Sequence, residues 1–411
     1  MNRETVHPDA WDLVLFVGGL AGLGFALAGA SAALALLLIN LSAGQAQDTL
    51  LTEYLSVAQL IVAAGCLPAL YLGARAVFGR PHLPPRGLDR RLWLLVAAFP
   101  IGVAAGHLAF QRNLSSPLLS PLAQILTTAA PVVLAVLLVL SNSDAYTPRR
   151  FWGQFSGGML VVPLPATIVE MVGLIVVGTG ILLGLLRSPE GWALLSQLAA
   201  AGPDSARGLS EAFSRLLQQP IVLALGIPYI VVFVPLVEEA FKTLGVWPWL
   251  RRGLSAGEAF AGGAICGAGY GMFEALFLTR PGEGWLAMVI GRSGATLMHA
   301  FSAALGSWGL MEGVSRGRWR RALTGYGLAV LLHGLWNAAA IWSGIREVTR
   351  GGGDPTGMGL QSDAMHGVIL AGLAILSLIA LAGLPLMARR LRRPSEGIAP
   401  HTARPSNPPA A

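Results

Sequence analysis

Charge is what this sequence lacks most. Only 12% of its 411 residues are Asp, Glu, Lys or Arg, and lysine occurs once, as Lys242. Soluble domains carry about 25% charged residues, so an ordinary water-soluble globule is excluded. The 54% hydrophobic content, gathered into long apolar runs, points to a lipid bilayer instead. Cysteine is also scarce: Cys66 and Cys266 are the full complement, each inside an apolar run. With no CxxC and no second pair, neither a disulfide framework nor a zinc knuckle is indicated, and both thiols read as small buried hydrophobes. No HExxH motif and no internal repeat occur. The net charge of +7 does not describe a nucleic-acid surface, because the arginines sit in short connections between apolar runs. Their dominance over lysine is what a GC-rich, bacterial genome produces.

Hydropathy divides the chain into ten spans, near 13–41, 54–78, 92–111, 118–141, 151–187, 219–249, 256–279, 286–313, 321–343 and 363–388. The first is too long for a signal-peptide core of roughly 7–15 residues and reads as a retained helix. The fold class is therefore an all-α polytopic membrane protein, with spans six to nine forming a four-helix core. Arg80, Arg86, Arg90 and Arg91, then Arg149 and Arg150, Arg251 and Arg252, Arg316, Arg318, Arg320 and Arg321, and finally Arg389, Arg390, Arg392 and Arg393 all follow even-numbered spans. The positive-inside rule places these exits, and both termini, in the cytoplasm of a multi-pass cell-membrane protein. The expected divisions are a tail at 1–12, a five-span region at 13–187, an outer loop at 188–218, the core at 219–343, a second outer loop at 344–362, a tenth helix at 363–388 and a disordered basic tail at 389–411. Leu209, Phe213, Leu216 and Leu217 suggest an interfacial helix in the first outer loop. Span five carries Pro163, Pro165 and Glu170, so a kink, a tilt or a re-entrant turn is expected there.

Ionised residues at mid-bilayer cost about 2.5–3.5 kcal/mol each even on the lenient insertion scale, yet the second half of the chain holds several. In "VPLVEEAFKTLG", Glu238 and Lys242 are one helical turn apart and can pair, while Glu239 points about 100° away. Pro235, just before them, frees a backbone carbonyl. Span seven reads "GAGYGMFEALF": Tyr270 and Glu274 are a turn apart, and Gly267, Gly269 and Gly271 admit a neighbouring backbone. Arg292 and His299 share a stripe of span eight, and His333 and Asn337 a face of span nine. Counted from the arginine clusters at 1.5 Å per residue, Glu239 and His333 lie roughly 18 Å deep and His299 roughly 25 Å, with Glu274 nearer the outer face. Taken singly, each has a structural explanation: an intramembrane ion pair for Glu238 and Lys242, helix–helix hydrogen bonds for the histidines, packing for Tyr270, neutralisation of Glu274 for Arg292. His107 and Glu170 have no partner at a recognisable spacing, and His366 sits near a membrane boundary.

The motifs "EEAFK" at 238–242, "YGMFE" at 270–274, "HAFSAALG" at 299–306 and "HGLWN" at 333–337 resemble, in this order, the PrsW family of intramembrane proteases. That family is a branch of the group that includes the type II CAAX prenyl endopeptidases and the bacteriocin-immunity proteins. Lys242 and Glu274 stand where the CAAX branch has arginine and histidine, which favours the PrsW branch; Tyr270 replaces the usual phenylalanine. The resemblance spans about 219–343 and implies an intramembrane endopeptidase acting on membrane-anchored protein substrates. It gives no role to spans one to five.

Peptide hydrolysis needs an activated water, an oxyanion stabiliser and a proton donor for the leaving amine. In a glutamate scheme, Glu239 or Glu238 holds the water and Lys242 keeps its neighbour charged. His333 and Asn337 donate to the oxyanion, and His299 orients the water or protonates the amine. Glu274, Arg292 and Tyr270 support these groups. In a metal scheme, Glu239, His299 and His333 ligate Zn²⁺ with an open position for water. The residues lean toward the first scheme, with no cofactor required and Zn²⁺ left open. Two other classes use the same residue types: a proton- or ion-coupled transporter, which needs a second constellation in the first five spans, and a non-catalytic scaffold, which has no use for paired acids.

Overall fold

In the computed structural model, the described residues are 8–44, 46–111, 119–141, 146–200, 212, 214–279, 281–282, 284–350 and 359–392. Among them every regular element is helical, and one isolated bridge joins Arg86 to Tyr146. The amino-terminal half contains α1 (Ala10–Ser42), α2 (Ala46–Val77), α3 (Leu92–Ala97), α4 (Phe99–Gly106), α5 (Leu119–Leu140), α6 (Pro148–Ser156), α7 (Pro163–Leu186) and α8 (Pro189–Ala200). The second half contains α9 (Pro220–Pro228), α10 (Val234–Lys242), α11 (Ala256–Leu278), α12 (Trp285–Arg316), α13 (Trp319–Arg350) and α14 (Gly359–Arg392). Single π-helical turns at His107–Gln111, Gly157–Val161 and Tyr229–Phe233 interrupt three of the apolar runs.

Among the described residues, eight helices are long and apolar enough to cross a membrane. α12 and α13 are outside that set although each has 32 residues, about 48 Å of helix. They are diluted by Arg292, His299, Glu312 and His333. The protein is thus an all-α, multi-pass membrane protein. Span five runs through as α6, a π turn and α7, with Pro163 at the start of α7. In the expected outer loop 188–218, α8 is present; Leu209 and Phe213 fall outside the described residues. Expected loop 344–362 is shortened by α13, which continues to Arg350, and helix α14 reaches Arg392; 393–411 fall outside the described residues.

α11 is the axis of the bundle. It starts at a capping box in which Ser255 and Glu258 satisfy each other's backbone N–H, and it is buried on nearly every side. α12 antiparallels it and ends at Gly317, whose positive φ of 67° lets the chain turn directly into α13. Glu312, 1% exposed, accepts from Arg316, Arg318 and Arg321 and clamps that turn. The arginine-bearing connections meet at one end of the bundle. There Arg149 binds Asp9 and Asp12, Arg150 binds Glu258, Trp11 packs edge-on against Trp249, and Arg392 donates to the Val139 carbonyl.

Candidate active site

The site begins at a broken helix. After the π turn at Tyr229–Phe233, Pro235 falls where the Ile230 and Val231 carbonyls would need an N–H, and proline has none. α13 fills the gap with the segment "HGLWN". Asn337 Nδ2 donates to the Ile230 carbonyl at 3.1 Å. Gly334 lies against the Val231 carbonyl so closely that a Cβ there would stand 2.5 Å from the oxygen. Two turns before His333, the Tyr326 hydroxyl donates to the Leu236 carbonyl at 2.6 Å. These contacts hold His333 opposite the two acids of α10.

Lys242 is at the centre of a buried network. It is 0% exposed, and its Nζ donates to Glu238 Oε2 at 2.9 Å and Glu239 Oε1 at 2.8 Å. The third N–H reaches His299 Nδ1 at 2.8 Å. An ammonium only donates, so Nδ1 is the acceptor and the His299 proton is on Nε2, where it meets Glu274 Oε2 at 2.8 Å. The same carboxylate oxygen accepts from Arg292 at 3.1 Å. On the other side, His333 Nδ1 lies 2.8 Å from Glu239 Oε1; a carboxylate accepts, so His333 carries its proton on Nδ1 and presents a bare Nε2. That nitrogen lies 3.8 Å from Glu238 Oε2, too far to bond. Glu239 Oε2 is buried and takes no hydrogen bond from the protein. The two imidazoles meet edge to face at 4.8 Å, and Tyr270 lies under the ammonium at 4.3 Å and edge-on to His299 at 5.4 Å.

The glycines of α11 make this convergence sterically feasible. A Cβ on Gly267 would stand 2.2 Å from the His299 carbonyl, one on Gly269 2.3 Å from that of Phe155, and one on Gly271 2.8 Å from Thr296 Cα. α12 can therefore approach closely enough for His299 to reach Lys242.

Glu238, Glu239, Lys242, Tyr270, Glu274, Arg292, His299 and His333 thus share one network. Glu274 and Arg292 do pair, and Glu274 is also the hydrogen-bond partner of His299. Two expectations differ from the geometry. Asn337 shares a helix face with His333, but its amide donates to Ile230 and not toward the acids, because the broken helix supplies an orphaned carbonyl. The group whose ligand atoms lie within 4.8 Å of one another is Glu238, His299 and His333, with Glu238 where Glu239 was expected. Glu239 instead orients His333 through Nδ1, the position of a carboxylate behind a histidine ligand. Glu170, which has no helical-spacing partner in sequence, also borders this region; its only signal was an acid stranded in an apolar run.

Residues 191–349 match the family model of the PrsW family intramembrane metalloproteases. That stretch is similar to the PrsW family. That description marks it as an intramembrane protease, a peptide hydrolase, and the matched segment contains every member of the network above. The PrsW-type stretch leaves the helices α1 to α7 outside it. No curated protein and no solved structure matches the chain.

Proposed function

We propose that this protein is a metal-assisted intramembrane endopeptidase that cleaves membrane-anchored proteins with Glu239 as the base. The observation that carries the reading is a surplus of acceptors at the buried centre. All three Lys242 N–H bonds are used, His299 donates its Nε2–H to Glu274, and His333 donates its Nδ1–H to Glu239. Glu239 Oε2 takes no hydrogen bond from the protein, and His333 Nε2 faces Glu238 Oε2 at 3.8 Å, acceptor against acceptor. Such a centre suits a cation and an attacking water better than an oxyanion hole built from side-chain N–H groups, which departs from the donor role expected for His333 and Asn337.

The donor set fits a divalent ion. Two imidazoles and a carboxylate are a recurrent catalytic zinc set, and Glu238 and His299 already hold a cation, the Lys242 ammonium. Glu238, His299 and His333 would hold the ion, which would take the place of the Lys242 ammonium on Glu238 and His299 Nδ1 and would supply Lewis-acid polarisation of the carbonyl and the water. The remaining chemistry belongs to the chain. Glu239 Oε2 takes a proton from the water as its oxygen bonds to the scissile carbonyl carbon. The same carboxyl returns that proton to the departing amine as the C–N bond breaks, leaving a carboxylic acid, which keeps the water's second proton, and an amine. Lys242 and His333 fix the opposite oxygen, Oε1, so that Oε2 keeps its aim. Asn337, Gly334 and Tyr326 are positioning residues that keep α13 on the broken helix. The arginine-rich end of the bundle is the cytoplasmic one, and both termini share that side.

The test is cleavage of a single-span peptide library by detergent-purified protein. Wild type cleaves, and Glu239→Gln loses activity by at least about a thousandfold while it remains folded and monodisperse; comparable turnover by the variant would remove Glu239 from the reaction. Metal content and chelation decide the assisted step: full turnover by metal-free protein would end the role given to the ion.

A further inference from the structure

α7 lies outside the matched stretch but lies along the broken helix. Gly184 packs on Ile221, Gly180 on Leu225, and Gly173 on Phe233 and Tyr229. The two elements therefore run antiparallel, in a register that brings residue 170 level with Pro235, one turn before the paired acids. The Tyr229 hydroxyl fixes this level by donating to the Glu170 carbonyl at 2.6 Å. The Glu170 side chain is half-buried, and its Oε1 is covered and takes no hydrogen bond. α7 packs against α10, the helix that carries Glu238, Glu239 and Lys242. Beyond it, α7 shows Ile168, Val172, Ile175 and Val176 to the outside, a lipid-facing surface.

A peptide bond inside a transmembrane helix is shielded by its own backbone, so cleavage requires local unwinding. Unwinding frees N–H groups in a medium without water, and each orphaned donor there is unfavourable by several kcal/mol unless protein accepts it. The acceptors at the catalytic centre are committed to the metal and the water. Glu170 is a further acceptor, placed between the lipid-facing side of α7 and that centre. We propose that Glu170 binds the substrate, accepting backbone N–H groups of a single-span protein's helix where it unwinds beside the scissile bond. This inference rests on the protease reading above, and it assigns α7, and with it the amino-terminal region, a part in substrate recognition.

Steady-state kinetics on a cleaved single-span peptide test it. Glu170→Ala raises KM about tenfold or more while kcat changes less than about threefold, and Glu170→Gln, which keeps an acceptor oxygen, recovers most of the loss. A structural role would not distinguish backbone N–H groups, so the second readout is an ester scan. Replacing single amides near the cleavage site by esters removes one N–H at a time, and binding is measured in the Glu239→Gln background. At least one ester weakens binding to protein with Glu170 intact by about tenfold and has no effect once Glu170 is alanine. If every ester penalty survives Glu170→Ala, or KM is unmoved while wild type cleaves normally, the assignment of Glu170 is wrong and the protease reading stands. If wild type cleaves no single-span peptide, both fall together.

Discussion

Replacing Lys242 by methionine tests the logic of the buried network most directly. The substitution keeps the volume and removes three hydrogen bonds of 2.8–2.9 Å, to Glu238, Glu239 and His299. It also removes the cation from between two carboxylates that are 4% and 0% exposed. Breaking a buried pair by deleting one partner destabilises by about 3–5 kcal/mol, chiefly because a charge is left buried and uncompensated. The value belongs at the upper end here, since two acids lose the same partner. The assay is reversible unfolding in mixed micelles, followed by tryptophan fluorescence, for Lys242→Met, for Glu238→Gln with Glu239→Gln, and for the triple variant. The acids are the reason the single variant is unstable, so neutralising them restores most of its stability, and the triple variant is more stable than the double, whose buried ammonium is left without a counter-charge. Such non-additivity is the signature of residues acting as one unit. Additive losses, or a Lys242→Met protein as stable as wild type, would falsify the picture of a lysine that exists to neutralise the acid pair.

Gly267→Ala places a Cβ 2.2 Å from the His299 carbonyl, so α11 and α12 must separate by about 1 Å, and a displacement of that size lowers kcat about a hundredfold; wild-type turnover would show that the close approach does not position His299. Asn337→Ala leaves the Ile230 carbonyl without its donor, with a loss of about 1 kcal/mol in stability and a several-fold drop in kcat that Asn337→Gln does not fully repair; a rise in KM alone would argue for substrate contact instead. At the arginine-rich end, burial raises the Asp9 carboxyl, but the Arg149 bond and charge and the Asp12 N–H outweigh it and hold it at about 2, below its ordinary 3.8. A depressed folded value stabilises above the ordinary one and loses that contribution as pH falls toward about 2. Asp9→Asn is therefore less stable than wild type near neutral pH and equal to it below about pH 2, as acid titration of thermal unfolding will read; a constant difference across that window would exclude the linkage.

Much of the membrane core was legible because lipid makes charge conspicuous. Glu238 and Lys242 share a face by helical spacing, and Pro235 announced an orphaned carbonyl before any coordinates did. The glycines of span seven likewise marked the face on which another backbone comes close. What spacing could not supply was the partner across helices. Nothing local says that Glu239 would turn toward His333 Nδ1 while Glu238 faces the bare Nε2, since the division of labour between two adjacent acids is set by where α13 docks. That docking depends on a π turn, whose extra residue rotates everything after it and has no reliable sequence code. Asn337 was misread for the same reason: a shared face with His333 fixes its direction from α13 but not which element of the broken helix it meets.

The helices with the weakest apolar signal are the ones that carry the histidines, and the two facts have one cause. α12 and α13 are shielded from lipid along the faces that carry His299 and His333, so polar residues there face protein and not hydrocarbon. α7 is the converse, exposed and strongly apolar except for Glu170. A carboxyl kept on such a helix, at the level of the acid pair and without a donor, is unfavourable in the resting protein. Its retention is intelligible if a donor arrives from the side on which α7 faces lipid, which is also the side from which a membrane-embedded substrate must come.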